Sequence, residues 1–252
     1  MRNIRVLARL DIKGPNLIKG VHLEGLRIVG DPIEFASKYY LEGVDEILFM
    51  DSVASLYGRN HLADIIRVTA HDVFVPITVG GGIRSVADAK DVLNSGADKI
   101  AVNSAAVARP ELIKEIAESF GSQAMVLSVE AKRTPNNQWE VYTDNGREKS
   151  GLLVTEWVEQ AQSLGAGEVL ITSVDKEGTC RGFDVALMKQ VSSTVSLPVI
   201  ASGGMGKLSD LDELIEASDI SAVAIANTLH YEKNSIPEIK KQIASLGVKV
   251  RP

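Results

Sequence analysis

Phe74-Val75-Pro76-Ile77-Thr78-Val79-Gly80-Gly81-Gly82 returns 122 residues later, Pro76 to Pro198, as Ser196-Leu197-Pro198-Val199-Ile200-Ala201-Ser202-Gly203-Gly204. Each copy is a short β-branched apolar run ending in small residues, the pattern of a buried strand followed by a tight turn. Gly43-Val44-Asp45-Glu46-Ile47-Leu48 returns at the same spacing as Gly165-Ala166-Gly167-Glu168-Val169-Leu170. Val102-Asn103-Ser104 is answered by Ala226-Asn227-Thr228, and Asp11 by Glu130. Half of the chain therefore copies the other half. Periods of roughly 20–50 residues mark solenoids; this longer one marks a fold with two equivalent halves.

Working outward from the repeat, the sequence predicts eight strands: Ile4–Leu10, Glu46–Asp51, Val75–Val79, Lys99–Asn103, Ala124–Glu130, Glu168–Ser173, Pro198–Ser202 and Ala222–Ala226. Helical patterns such as Ile33–Glu42, Val86–Leu93, Pro110–Ser119, Leu153–Leu164 and Ala186–Val191 lie between them. Strands alternating with helices imply a parallel sheet, and eight such units close into a barrel. The expected fold is α/β: a single (β/α)8 TIM barrel over residues 1–252, four units in each half. A doubly wound open sheet is the alternative, but no glycine fingerprint follows the first strand. Two connections are long. Lys13 to Gly30 is read as a loop. After Glu130, the turn residues Pro135-Asn136-Asn137 and Asp144-Asn145-Gly146 bracket Gln138–Tyr142 as a hairpin excursion.

Lys and Arg number 27 against 33 Asp and Glu, a net charge of −6. That balance argues against a nucleic-acid or anionic-membrane partner. Phosphate would have to be held by local backbone amides and helix N-termini. The single cysteine, Cys180, excludes an intrachain disulfide. His22, His61, His71 and His230 have no metal-ligand spacing, so neither metal nor organic cofactor is expected. Trp139 and Trp157 read as packing residues. Neither a signal peptide nor a membrane span is visible, which makes a cytoplasmic location the expectation.

Gly80-Gly81-Gly82 and Ser202-Gly203-Gly204 each sit where a strand ends and a helix opens. Glycines there let N–H groups approach an anion, and the helix dipole adds to the attraction. Asn103-Ser104 and Asn227-Thr228 end the next strand in each half and supply adjoining donors. Two copies in register point to two phosphate sites; tight strand–helix packing is the alternative. Asp11 and Glu130, at the ends of strands one and five, should face each other across the barrel mouth, where catalytic groups of such barrels lie. Two carboxylates between two phosphate clamps suit general acid–base chemistry, surface ion pairs being the alternative. Asp51, Asp175 and Glu177 also sit at strand ends and could orient a substrate.

These motifs resemble the HisF family. The likeness is carried by Asp11-Ile12-Lys13, Lys19-Gly20-Val21, Gly30-Asp31-Pro32, Thr78-Val79-Gly80-Gly81-Gly82-Ile83-Arg84, Asn103-Ser104-Ala105-Ala106-Val107, Phe120-Gly121-Ser122-Gln123 and Ala201-Ser202-Gly203-Gly204. HisF is the cyclase subunit of imidazole glycerol phosphate synthase. The resemblance implies an ammonia-dependent cyclase/lyase of histidine biosynthesis. Ammonia from a glutaminase subunit would convert a ribulosyl-aminoimidazole bisphosphate into imidazole glycerol phosphate and aminoimidazole carboxamide ribotide. It also implies roles. Asp11 matches the first catalytic aspartate and Lys19 the lysine of a mobile loop. Gly82, Asn103 and Ser104 match one phosphate site, and Gly204, Ala226 and Asn227 the other. Arg5, Glu46, Lys99 and Glu168 match a charged ring that gates ammonia at the barrel base. Asp98 matches a position where the glutaminase docks on the N-terminal face.

Three positions depart from the pattern. Glu130 and Glu177 stand where the family has aspartates, and Arg9 where it has a small or thiol side chain. These changes favour an alternative, a HisF-like paralogue that uses glutaminase-derived ammonia to amidate a nucleotide-linked sugar in surface-polysaccharide synthesis. Retention of both phosphate motifs favours the cyclase. The pathway's related isomerase barrel shares the half-barrel repeat but would not need the charged ring. A catalytically silent barrel that activates a glutaminase is the remaining alternative.

Overall fold

The computed structural model describes residues 3–52 and 62–251; His61 lies outside them. Eight parallel strands form the barrel: β1 (Arg5–Lys13), β4 (Glu46–Asp51), β5 (Ile77–Gly80), β6 (Lys99–Val102), β7 (Met125–Arg133), β10 (Glu168–Ser173), β11 (Val199–Ser202) and β12 (Ala222–Ile225). β1 pairs with β12, and β7 with β10, so the sheet closes on itself. The helices α1 (Pro32–Leu41), α2 (Ala63–Asp72), α3 (Val86–Asn94), α4 (Ser104–Ala108) and α5 (Glu111–Phe120) accompany the first half. α6 (Val154–Ser163), α7 (Val185–Thr194), α8 (Asp210–Ala217), α9 (Asn227–His230) and α10 (Ile236–Ser245) accompany the second.

Both long connections are antiparallel hairpins. β2 (Asn16–Val21) and β3 (Glu24–Gly30) extend β1, and β8 (Trp139–Thr143) and β9 (Glu148–Leu153) extend β7. The second agrees with its turn chemistry. The first departs from the loop expected: its apolar residues in β2 are only the adjacent Leu17 and Ile18, which are buried, with Val21 at its end, while β3 is largely exposed. The two excursions meet: Asn145 Nδ2 donates to the Leu23 carbonyl at 3.1 Å. Asp184, the cap of α7, accepts from Leu187 N and from Trp139 Nε1 at 2.9 Å, anchoring the second hairpin to the barrel wall.

Period-2 alternation places the functional groups. Outward positions of β1 (Val6, Ala8, Leu10, Ile12) pack with the helices in the large core. Inward positions form layers. Arg5, Glu46, Lys99 and Glu168 line the bottom, and Leu7, Leu48, Ala101, Val126, Leu170, Ile200, Ala222 and Ala224 form an apolar layer above them. Four of the next inward residues, at the C-terminal end, are polar, namely Arg9, Ser128, Thr172 and Ser202, with Met50 and Ala226 beside them.

Candidate active site

The two glycine turns are alike in backbone conformation. Gly81 and Gly82 have φ of 97° and 74°, and Gly203 and Gly204 have φ of 95° and 108°. A Cβ on Gly81 would stand 2.4 Å from the Asp51 carbonyl oxygen, and one on Gly204 2.2 Å from that of Gly182. Glycine is therefore required twice, by backbone sign and by space. The neighbouring corners also match, but not in the register read from the sequence. Asn103 (φ −122°, ψ −89°) corresponds to Ala226 (φ −128°, ψ −75°), each the cap of a short helix. Asn227 is therefore the counterpart of Ser104; the Asn-Ser/Asn-Thr match is one residue out.

The two ends differ in what surrounds them. A cavity of about 570 Å³ reaches from Gly81, Gly82, Asn103 and Ser104 to Asp51 and Glu130. Arg84, Arg109 and Lys149 also line it, so an acidic chain presents local cations at this mouth in addition to backbone amides. The opposite end, lined by Glu177, Gly203, Gly204, Ala226 and Asn227, encloses only about 20 Å³, enough for about one water. Asn103 Nδ2 donates to the Tyr142 carbonyl, and its Oδ1 is buried without a partner among the described residues. Ser104 Oγ accepts from Asp144 N at 3.0 Å, so the second hairpin is fastened to the site. Asn227 Oδ1 accepts from Cys180 Sγ at 3.1 Å and faces Lys233 Nζ at 3.5 Å.

Asp11 and Glu130 stand on β1 and β7, opposite strands of the closed barrel, and Asp11 is tied to two cations. Its Oδ1 accepts from Arg9 Nε at 2.8 Å and its Oδ2 from Lys19 Nζ at 3.1 Å. Lys19, carried in by β2, also pairs with Glu177. Arg9 Nη1 donates to Thr172 Oγ1 at 2.8 Å and to Ser202 Oγ at 3.1 Å. All four charged side chains are at most 6% exposed. Burial alone would raise the Asp11 pKa, but Arg9 and Lys19 outweigh it and hold the carboxyl well below the usual range. Burial likewise opposes the charge on Lys19, and Glu177 and Asp11 outweigh it and raise its pKa.

Glu130 has the opposite environment. It is 9% exposed, and its Oε2 accepts from the Gly146 amide at 2.8 Å. Burial pushes its pKa up to about 7; the Gly146 bond and the more distant Arg9 only moderate the rise. Lys132, two residues along the same strand, donates to the Gly146 carbonyl at 3.0 Å.

At the barrel base, Glu46 accepts from Arg5 Nη1 at 2.8 Å and from Lys99 Nζ at 3.0 Å. Glu168 accepts from Lys99 at 3.0 Å and pairs with Arg5. Thr78 Oγ1 also donates to Glu46. The four charges close an alternating ring across the bore, beneath the apolar layer. Asp98 lies at the rim beside it, its carboxylate accepting from Ile77 N at 2.8 Å.

Residues 5–235 match the family model described as "Histidine biosynthesis protein". The chain is 63% identical over 212 residues to an imidazole glycerol phosphate synthase subunit HisF of Legionella pneumophila, covering 84% of this chain and 100% of that one. The chain belongs to the HisF family. It is also 45% identical to the subunit HisF of Corynebacterium diphtheriae (98% of both chains) and 44% identical to that of Dehalococcoides mccartyi (100% and 99%). HisF is the cyclase subunit of imidazole glycerol phosphate synthase, an enzyme of histidine biosynthesis.

In this HisF-family chain Asp51, Gly81, Gly82, Asn103, Ser104 and Glu130 share the large cavity, while Glu177, Gly203, Gly204, Ala226 and Asn227 share the small one. Lys19 and Asp11 stand behind Arg9 and Glu177 as an ion-pair cluster. Asp175 accepts from Arg133 N at 2.8 Å, on the surface. Sequence reasoning noted Arg9 as a departure without placing it in the site, although it lines both cavities. The signal was its parity with Asp11 on β1. Ser128, Thr172 and Ser202 were missed for want of the same count along their strands.

Proposed function

We propose that this chain uses ammonia to cyclise and cleave a ribulosyl-aminoimidazole bisphosphate, with Asp11 and Glu130 in different roles. The observation that carries the reading is the contrast between the two carboxylates. Asp11 lies between two buried cations and stays ionised at every working pH. It serves as a fixed negative charge that stabilises positive charge developing on the attacking nitrogen or the ring precursor. Among the described residues no cation stands within hydrogen-bond distance of Glu130, and it titrates near neutrality, which suits a group that must take up and return a proton. Gly81, Gly82, Asn103 and Ser104 hold one phosphate, and Gly203, Gly204, Ala226 and Asn227 the other; Asp51 and Glu177 orient the part between. Lys19 accompanies the substrate's closure. Such anchoring at both ends turns the ammonia attack into a reaction of fixed partners.

Ammonia enters from a glutaminase subunit docked on the N-terminal face, near Asp98, through the Arg5/Glu46/Lys99/Glu168 ring. A balanced ring followed by an apolar layer admits a small neutral molecule more readily than an ion. No helix among the described residues is long and apolar enough to cross a membrane. We place the reaction in the cytoplasm and treat residues 1–252 as one barrel domain.

The isolated chain, supplied with ammonium salt at alkaline pH, is expected to consume the bisphosphate and release both products without glutamine. Product analysis after loss of substrate absorbance is the test. Tight binding with no turnover would refute the cyclase reading.

The nearly closed second end, lined by Glu177 and Arg9, favours the second reading, a paralogue amidating a nucleotide-linked sugar. The volume of that end is close to that of a single water, and its lining residue Glu177 is held by Lys19. The two readings separate in Glu130→Asp. An adapted cyclase loses activity or holds level on shortening this side chain, whereas a paralogue gains turnover of the bisphosphate from near zero.

A further inference from the structure

Arg9 breaks the symmetry of the repeat. Alternation pairs the inward residues of the two halves: Leu7 with Val126, Arg9 with Ser128, Asp11 with Glu130. Where the second half has a small hydroxyl, the first sends a guanidinium to the bore. Its Nε and Nη1 donors are committed to Asp11, Thr172 and Ser202. An arginine carries five N–H donors. The two on Nη2 have no partner among the described residues, although the side chain is only 4% exposed. Arg9 lines both the 570 Å³ cavity and the 20 Å³ one. A ligand reaching from one glycine turn to the other must therefore lie against it.

We infer that Arg9 is a specificity-determining residue that reads an acceptor oxygen in the middle of the ligand, selecting phosphate monoesters with a hydroxylated or carbonyl-bearing chain. Its held plane makes this selection stiff. Three bonds to three strands fix the guanidinium, so the remaining two donors point in a set direction before any ligand arrives. An apolar chain passing the same point would strip water from those donors and offer nothing in return, a penalty that makes such polar sites reject analogues lacking the oxygen. Glu130 lines the same cavity, and its partner in the β7–β10 register is Thr172, to which Arg9 donates, so the oxygen that Arg9 holds is presented beside the proton-exchanging carboxyl. The inference rests on the reading that the Gly82/Asn103/Ser104 turn holds phosphate, and the experiment separates the two.

Calorimetric titrations of the full chain compare inorganic phosphate, ribose 5-phosphate and pentyl phosphate, in the natural sequence and in Arg9→Ala. The natural chain should prefer the sugar phosphate over the alkyl phosphate by tenfold or more. Arg9→Ala should reduce that preference to about threefold or less while leaving the affinity for inorganic phosphate unchanged, which also reports an intact site. Arg9→Lys, which keeps the charge without the fork, should recover only part of the preference. An undiminished preference in Arg9→Ala overturns the role of Arg9 and leaves the phosphate reading intact. Equal loss for all three ligands assigns Arg9 to the integrity of the site and overturns it too. If no phosphate compound binds the natural chain, the phosphate reading fails and takes this inference with it.

Discussion

Replacing Glu130 with glutamine removes one buried proton site while keeping an acceptor for the Gly146 amide. In the folded chain burial pushes the Glu130 carboxyl from 4.5 up to about 7. The folded state then holds a proton that the unfolded state has released between these values. Stability from this group is complete below pH 4.5 and is lost as pH rises through 7. A shift of this size corresponds to roughly 3 kcal/mol above pH 8, of which about 2.5 kcal/mol accrues between pH 5 and pH 8. Urea unfolding at pH 5, 6, 7 and 8 should show Glu130→Gln flatter than the natural chain by that amount. The variant should be the more stable of the two at pH 8 and catalytically inactive throughout. Parallel stability curves for the two proteins would refute the reasoning, since Glu130 would then titrate normally.

Asp11→Asn should abolish turnover with ligand affinity changed by no more than a few-fold, because the phosphate turns are untouched. It should also lower Tm, since Arg9 and Lys19 lose a shared buried counter-charge; an unchanged kcat would remove Asp11 from the chemistry. Gly81→Ala forces an L side chain to φ near 97° and into the Asp51 carbonyl, strain of about 1–3 kcal/mol or more; thermal unfolding several degrees lower, with weaker phosphate binding, is expected. Glu46→Gln should spare turnover driven by ammonium salt but depress glutamine-driven turnover with the glutaminase partner; equal effects on both would argue against a gate.

Much of this is legible in the sequence because the repeat is written in short motifs. The glycines at 81, 82, 203 and 204 mark left-handed backbone that few other residues tolerate, so they announced both turns. The base ring came from the resemblance to the HisF family, and the repeat only sets Glu46 and Glu168 in the same frame. The hairpin after β7 was visible through Asn137 and Asp144–Gly146. What remained hidden depends on neighbours that sequence spacing does not bring together. Arg9 and Thr172 are 163 positions apart, and only barrel closure makes them partners. Pairwise matching also slipped at Asn103, where identical letters at 227 outweighed the shared backbone shape at Ala226. The opposite protonation tendencies of Asp11 and Glu130 were invisible as well, because both are carboxylates at equivalent positions and only their surroundings differ.

The base ring has a bearing on how the chain acquires its shape. Three of its members, Arg5, Glu46 and Lys99, are made early, and the fourth, Glu168, arrives with β10. Synthesis delivers the N-terminal portion first. A nascent first half therefore carries two cations against one carboxylate at the strand starts, an excess charge that resists burial until the second half supplies its counterpart. Burial of that half's bore on its own would bury the unbalanced cation, a cost in free energy that the complete barrel does not carry. Closing the cylinder therefore also neutralises its floor, since the strand that brings Glu168 supplies the charge that balances Arg5 and Lys99.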